Sequence, residues 1–324
     1  MDVSIVIPTK NGGRLFERTL KAVFNQKTQY SYEVICVDSG SKDETLDIIS
    51  RFDCKLYKIA PEEFGHGKTR NYGASKGTGE YIIFITQDAV PATDTWLENF
   101  INAMKIDSDI VGGFGIHYPY EDCNLFDKRD LTIHFQGFGS DNTIYSLEDK
   151  ERYEKDEGYR HLLAFFSDNN SCLKRSVWEK YPYDDVDFAE DQIWARKMIE
   201  MGYKKVYCPY APVYHSHNYK ILSYAGRYFD EYRSLYKLHH YLIVDKWYRI
   251  IPNMYRHIKS DWNYVRTLKD MSPRTKLKWM NYSFWRNHAR YYFGYYGGRY
   301  AEYPKWLQKF FDRFVSQQRK QRKK

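Results

Sequence analysis

Two adjacent acids, Glu190 and Asp191, open a stretch with helical spacing, where the helix dipole favours negative charge. Such a pair serves as a helix cap or, with one member close to an acceptor hydroxyl, as a general base. Asp88 follows an apolar run, and His215-Ser216-His217 follows another. A hard divalent cation bound to a diphosphate needs few protein ligands, because phosphate oxygens and water complete its shell. One Asp and one His would suffice, with Asp88 and His215 the candidates. Gly65-His66-Gly67-Lys68-Thr69-Arg70-Asn71 reads as a glycine-flanked turn carrying two cations, and the planar fork of Arg suits phosphate oxygens. It departs from a dinucleotide fingerprint, since Arg70 stands where the third Gly belongs and no strand leads into it. Each feature also has a plain structural use: a solvated loop, surface histidines, a capped helix.

These residues need a scaffold, and the first hundred residues supply one. Val3–Ile7 is a β-branched run stopped by Pro8, followed by Leu15, Phe16, Leu20, Val23 and Phe24 at helical spacing. Glu33–Asp38 reads as a second strand. Ser41 with Glu44 reads as a capping box for a helix through Ile49. Lys55–Ala60 and Glu80–Thr86 are the third and fourth strands, and Thr95–Met104 is a helix. Alternation of this kind implies an α/β fold with a largely parallel sheet covered on both faces. Ligands in such folds lie beyond the carboxyl ends of the strands. Pro8-Thr9-Lys10-Asn11, Asp38-Ser39-Gly40-Ser41 and Gln87-Asp88 stand at three such ends. From about 105 to 218 the pattern loosens into short strands and loops, with a helix over 185–202 and short strands at Val206–Cys208 and Val213–His215. Beyond 220 it is helical.

Charge divides the chain. Residues 1–219 hold 26 Lys and Arg against 35 Asp and Glu, whereas residues 220–324 hold 24 against 7. Five cysteines without a C-x-x-C pair argue against a disulfide scaffold or thiolate zinc site and favour a reducing compartment. No apolar run reaches the roughly 18 to 20 residues of a membrane span, and no signal-like leader is present, so a cytoplasmic location is expected.

In order, these segments resemble the family 2 glycosyltransferases of GT-A fold. The resemblance runs from residue 2 to about 218 through Ser4–Asn11, Val37–Asp43, Thr69–Gly73 with Gly77–Tyr81, Thr86-Gln87-Asp88 and Glu190-Asp191. More narrowly, Glu63–Gly67 and Gln87-Asp88-Ala89 are similar to bacterial rhamnosyltransferases that build cell-surface polysaccharides from dTDP-L-rhamnose. The resemblance implies a catalytic domain over 1–218 and a helical, basic extension over 219–324. It implies a nucleotide-sugar donor lying against Pro8, Thr9, Asn11, Asp38, Ser41, Lys68, Arg70 and Gln87. Arg70 would contact the base or the diphosphate. Asp88 and His215 would hold Mg²⁺ or Mn²⁺, with Thr86 standing where the family's first metal-motif acid belongs. Asp191, beside Glu190, would be the base of a single inverting displacement onto a saccharide acceptor, expected to be lipid-linked. A UDP-sugar is the alternative donor, and a catalytically silent nucleotide-sugar binder is a weaker reading of the same fold. Adjacent acids on one helix cannot flank a bond as a glycosidase requires. Nucleic-acid binding through the basic aromatic tail is opposed by the acidic first two thirds.

The tail calls for its own account. Ile221, Ala225, Tyr228, Tyr232, Leu235 and Leu242 recur at helical spacing, as for a core or oligomer-forming helix. Pro304 then opens a segment in which Trp306, Leu307, Phe310, Phe311, Phe314 and Val315 form one apolar face flanked by Lys305, Lys309 and Arg313, with Arg319–Lys324 beyond. That pattern predicts a helix lying in an anionic membrane surface at the inner face of the cell membrane.

Overall fold

The computed structural model describes residues 1–186 and 189–316. Its contacts divide the chain into two units, one of Met1–Glu121 with Arg129–Ser216, the other of Asp122–Lys128 with His217–Lys324.

The first unit is built on a nine-stranded sheet. Its strands are β1 (Val3–Thr9), β2 (Tyr32–Asp38), β3 (Cys54–Lys58), β4 (Tyr81–Ile85), β5 (Val90–Pro91), β6 (Ile110–Tyr118), β7 (Thr143–Tyr145), β8 (Asn170–Lys174) and β9 (Lys204–Tyr214). The helices between them are α1 (Gly13–Phe24), α2 (Thr45–Ile49), α3 (His66–Ala74), α4 (Trp96–Met104), α5 (Leu125–Gln136), α6 (Lys150–Lys155), α7 (Glu157–Ala164), α8 (Arg175–Trp178) and α9 (Glu190–Glu200). Strand order is β3-β2-β1-β4-β8-β6-β9-β5, with β7 beside β9. β3, β2, β1 and β4 run parallel, β8 is antiparallel to β4 and β6, and β9 is parallel to β6.

Continuous apolar runs form the central strands because both faces are covered. Val3, Ile5 and Ile7 point into one layer with Phe16 and Leu20 of α1 and Trp96 and Phe100 of α4. Val6, Ile35, Val37 and Phe84 point into the other with Phe114, Phe166 and Trp194. The antiparallel β8 matters for function: its first residue, Asn170, pairs with Ile85, the last of β4. The loop entering β8 therefore arrives at the sheet edge where β1, β2 and β4 end. Four cysteines are buried, Cys54 is partly so, and all five are free thiols.

Several elements differ from the sequence reading. Gly65–Asn71 is not a turn but the start of α3. Ser41 caps nothing, because its hydroxyl bonds the Asp38 carboxylate, and α2 begins only at Thr45. The helix expected from 185 begins at Glu190. The two short strands near 206 and 213 are one strand, β9.

The second unit is helical: α10 (Ile221–His239), α11 (Ile250–Thr267), α12 (Pro273–His288), a π-helical turn over Ala289–Phe293, α13 (Gly294–Gly298) and α14 (Lys305–Phe314). Tyr224, Tyr228 and Tyr232 of α10 form one small core with Ala289. Ile250, Met254 and Ile258 of α11 form another with Val244 and Tyr291. The apolar face read for α14 divides in two. Phe311 packs against Phe229 and Tyr296 at ring-centroid distances of 5.1 and 5.7 Å, while Trp306, Phe310 and Phe314 are exposed. Arg319–Lys324 lies outside the described residues. Among those described, no helix is long and apolar enough to cross a membrane.

Candidate active site

Three groups of side chains meet the ends of the parallel strands. The first is a hydrogen-bonded rim. Thr9 and Asp38 end β1 and β2 in register. The Asp38 carboxylate accepts the Gly40 and Ser41 backbone N–H groups, both at 3.0 Å, and the Ser41 hydroxyl. Gly40 takes φ +90°, a left-handed conformation that glycine adopts without strain. Asn11 donates its N–H to Ser41 Oγ at 2.9 Å and accepts from the Lys42 N–H at 2.8 Å. Pro8 lies partly exposed between Ile7 and Thr9. Gln87, in the turn after β4, pairs its amide with the Lys10 backbone in both directions, at 2.9 and 3.0 Å. Its own carbonyl accepts from Thr19 Oγ1 at 2.8 Å. Gln87 thus joins the loop after β1 to the turn that carries Asp88.

The second group is a potential metal pair. Asp88 Oδ1 lies 3.7 Å from His215 Nε2, because β5 and β9 pair at Val90 and Tyr214 and bring the residues flanking them together. An oxygen and an imidazole nitrogen, both reached by solvent, suit a divalent cation that takes its remaining ligands from phosphate and water. Tyr120 donates its hydroxyl to the Asp88 carbonyl at 2.9 Å and fixes that turn. Behind His215 stands buried His117, with ring centroids 5.5 Å apart. Burial, then the His215 and His134 rings, hold His117 well below its ordinary pKa, so it is neutral. His217 opens the second unit.

The third group is a buried charge cluster. Arg70 is 5% exposed and faces inward from α3, with its Nη1 2.8 Å from Glu190 Oε1 and its Nε 3.3 Å from Asp168 Oδ2. Lys68, two residues earlier, is exposed. Gly67 permits this meeting of α3 and α9, since a Cβ there would lie 2.8 Å from the Asp184 carbonyl and 3.3 Å from Glu190 Cβ. Asp168 Oδ1 accepts from Ser171 Oγ at 2.6 Å and Tyr183 Oη at 2.8 Å. Asp191 Oδ2 accepts the Asp168 backbone N–H at 3.1 Å. Asn71 closes the surround, taking N–H bonds from Trp178 and Tyr183.

One guanidinium cannot neutralise three carboxylates. Burial pushes Glu190 up to about 7, against the pull of Arg70. Burial, then the Glu190 and Asp168 charges, lifts Asp191 well above the usual carboxylate range. Asp168 is raised as well, by burial. The cluster therefore holds a proton near neutrality and titrates as a unit. Asp191 is the least enclosed of the three acids, while Glu190 and Asp168 are sequestered with Arg70.

The sequence reading singled out Glu190, Asp191 and Arg70 but not Asp168 or Tyr183. Asp168 is an isolated acid in the loop before β8, with no periodicity to mark it. Its one signal is a charge set between two apolar stretches, Phe165-Phe166 and Cys172-Leu173, both buried wholly or in part.

Comparison with known proteins follows this geometry. The profile described as Glycosyl transferase family 2 matches residues 4–181. The O-antigen chain rhamnosyltransferase RfbN of Salmonella typhimurium is 35% identical over 237 residues, covering 71% of each chain. The O-antigen chain rhamnosyltransferase WbaN of Salmonella anatum is 33% identical over 233 residues, covering 70% of each. Among solved structures, S. aureus TarS in complex with UDP-GlcNAc aligns with a TM-score of 0.54 over 93% of this chain and 92% of that one. At 12% identity this is a likeness of fold.

Proposed function

Because the chain belongs to glycosyl transferase family 2 and has the GT-A fold, we propose that this glycosyltransferase moves L-rhamnose from dTDP-β-L-rhamnose to a lipid-linked saccharide in bacterial surface-polysaccharide synthesis. The buried acid cluster at the start of α9 carries the chemistry in this reading, and the two O-antigen relatives support the donor sugar. Pro8, Thr9, Asn11, Asp38 and Ser41 form the rim that receives base and ribose, with Gln87 holding that rim in shape. Exposed Lys68 is available to the diphosphate, and Arg70 organises the acids.

Asp191 takes the acceptor proton as the hydroxyl oxygen attacks the anomeric carbon from the face opposite the leaving nucleotide, inverting that centre in one step. Its raised pKa makes it a stronger base once ionised, and the Asp168 N–H holds the accepting oxygen in place. Asp88 and His215 would hold a divalent cation, whose charge offsets that of the departing diphosphate. The exposed aromatic edge of α14, rimmed by Lys305, Lys309 and Arg313, lies in the anionic inner face of the cell membrane, where a lipid-linked acceptor is presented.

The test is nucleoside diphosphate release by the purified protein across dTDP-rhamnose and a panel of UDP-sugars, with and without a lipid-linked acceptor. Acceptor-dependent release should be fastest with dTDP-rhamnose. Faster turnover of a UDP-sugar overturns the donor, and release indifferent to the acceptor overturns the transfer.

A further inference from the structure

A soluble surface seldom leaves large aromatics exposed in groups, and such groups mark contacts. In the second unit, α14 is not the sole element that does so. Trp247, in the turn ahead of α11, is 70% exposed, and Ile251 and Tyr255 continue it at four-residue spacing with 63% and 65% exposure. The adjoining face of α11 supplies Ile250, Met254 and Ile258 to the core. The outer stripe is therefore left over after the helix has met its packing needs. It mirrors Trp306, Phe310 and Phe314 on α14, which follow the same four-residue spacing while Phe311 faces inward.

The two stripes are tied at their beginnings. The Arg299 guanidinium donates to the backbone carbonyl of Asp245, two residues before Trp247, and to both Glu302 carboxylate oxygens at 2.9 Å, four residues before Trp306. Charge accompanies both. Residues 245–259 hold four Lys and Arg against one acid, and residues 305–314 hold three against one. Asp245 pairs with Arg249 at 3.1 Å, which leaves Lys246, Arg256 and Lys259 unmatched by it, and Asp312 pairs with Arg233 at 3.1 Å, outside the three cations of α14. Aromatic side chains rimmed by unopposed cations match an anionic lipid interface, where amphipathic rings sit at headgroup depth and each nearby cation adds attraction.

We infer that Trp247, Ile251 and Tyr255 form a second membrane contact, entering the same anionic lipid surface as the α14 stripe. This rests on the membrane reading of α14 and adds a partner to it. Two linked contacts bind far more tightly than either alone, since the second engages at high effective concentration.

The test is co-sedimentation of the full chain with vesicles of equimolar phosphatidylcholine and phosphatidylglycerol at low salt. Trp247→Ser/Tyr255→Ser should weaken partitioning by about tenfold or more, from the apolar area withdrawn. Lys246→Gln should weaken it by about fivefold, and added salt should erase that difference. All three residues are exposed, so circular dichroism and the thermal midpoint should not move. Trp306→Ser/Phe310→Ser is measured beside them. If it alone abolishes binding and the Trp247 and Lys246 variants bind as the unmodified protein does, the second contact is wrong and the α14 reading stands. If the unmodified protein does not pellet, both fail. If the Trp247 variant instead loses self-association in vesicle-free sedimentation velocity with lipid binding unchanged, the stripe is an interface between copies and the inference is overturned.

Discussion

Replacing Arg70 by Met removes the one cation from a cluster of buried acids. Its nitrogens stand 2.8 Å from Glu190 and 3.3 Å from Asp168, each worth about 5–6 kcal/mol of attraction at an effective dielectric near 20. The net loss is smaller, because an abandoned carboxylate protonates. For Glu190, already pushed up to about 7, protonation at neutral pH costs almost nothing. Holding Asp168 protonated at pH 7 costs at most about 4 kcal/mol, the figure for an ordinary carboxyl pKa near 3.9 at about 1.4 kcal/mol per unit, since burial already raises it. That agrees with the roughly 3–5 kcal/mol typical of a broken buried ion pair. The sign follows: a carboxyl raised in the folded state destabilises above its unfolded pKa, so the penalty grows with pH. It should fall to about 1.5 kcal/mol at pH 5. Urea unfolding followed by near-ultraviolet circular dichroism should show a midpoint lowered by about 1 M at pH 7 and much less at pH 5. Adding Glu190→Gln to Arg70→Met should cost far less than the two single changes combined. An Arg70→Met midpoint equal to that of the unmodified protein, or a shift independent of pH, would refute the reasoning and return Arg70 to the open rim as a donor ligand.

Other outcomes follow from the same structure. Asp191→Asn should abolish transfer while leaving nucleotide affinity nearly intact by titration calorimetry; near-normal turnover would pass the base role to Glu190. In the unmodified enzyme kcat/KM should fall as pH drops, beginning well above the usual carboxylate range, because burial and the neighbouring acids raise Asp191, which must be ionised to act; a flat profile between pH 6 and 8 would contradict this. Mn²⁺ should bind the free protein weakly and more tightly with dTDP, and Asp88→Ala should remove that enhancement; equal affinity with and without nucleotide counts against the pair. Glu33, with 4% of its side chain exposed, would be raised by burial, but Lys55, the Thr78 N–H and the Ser4 hydroxyl hold it down at about 2. Its stabilisation is fully present above about pH 4.5 and lost as pH falls toward 2; with half-exposed Lys55 partly screened, Glu33→Gln should cost about 2 kcal/mol at pH 7 and little near pH 2.

Strands β1, β2 and β4 are legible because each is a largely apolar run that leads into a polar residue, whereas β8, which lies beside β4, carries no such pattern. The alternation of those three strands with helices by itself places Thr9, Asp38 and Asp88 at one edge. What escaped was set by contacts distant in sequence. α3 read as a turn because of its glycines, yet Gly67 and Gly73 serve approach: a Cβ on Gly73 would lie 2.4 Å from Val6. β9 read as two strands because Pro209 and Pro212 interrupt its pattern, and a local shift against β6 absorbs them. Ser41 and Glu44 satisfied the spacing of a capping box, but Asp38, three residues back, took the hydroxyl. Arg70 was marked as functional by its type, and its direction could not be known without Asp168, 98 positions away. On α14 a single apolar face was visible, whereas its division into a packed edge and an exposed edge depends on Phe229 and Tyr296.

The reciprocal amide bonds of Gln87 have a consequence for anyone wishing to redirect this enzyme to a different sugar nucleotide. The loop after β1 and the turn holding Asp88 are joined by these bonds, so a library that lengthens or reshapes residues 9–12 will also displace Asp88, the proposed metal ligand. Thr86 offers no easy repair by a second acid, because its hydroxyl is already buried without a hydrogen-bond partner and a carboxylate there would be an unpaired buried charge. Variation is better confined to Lys42 on the β2 side of the rim, which is exposed and follows the turn anchored by Asp38.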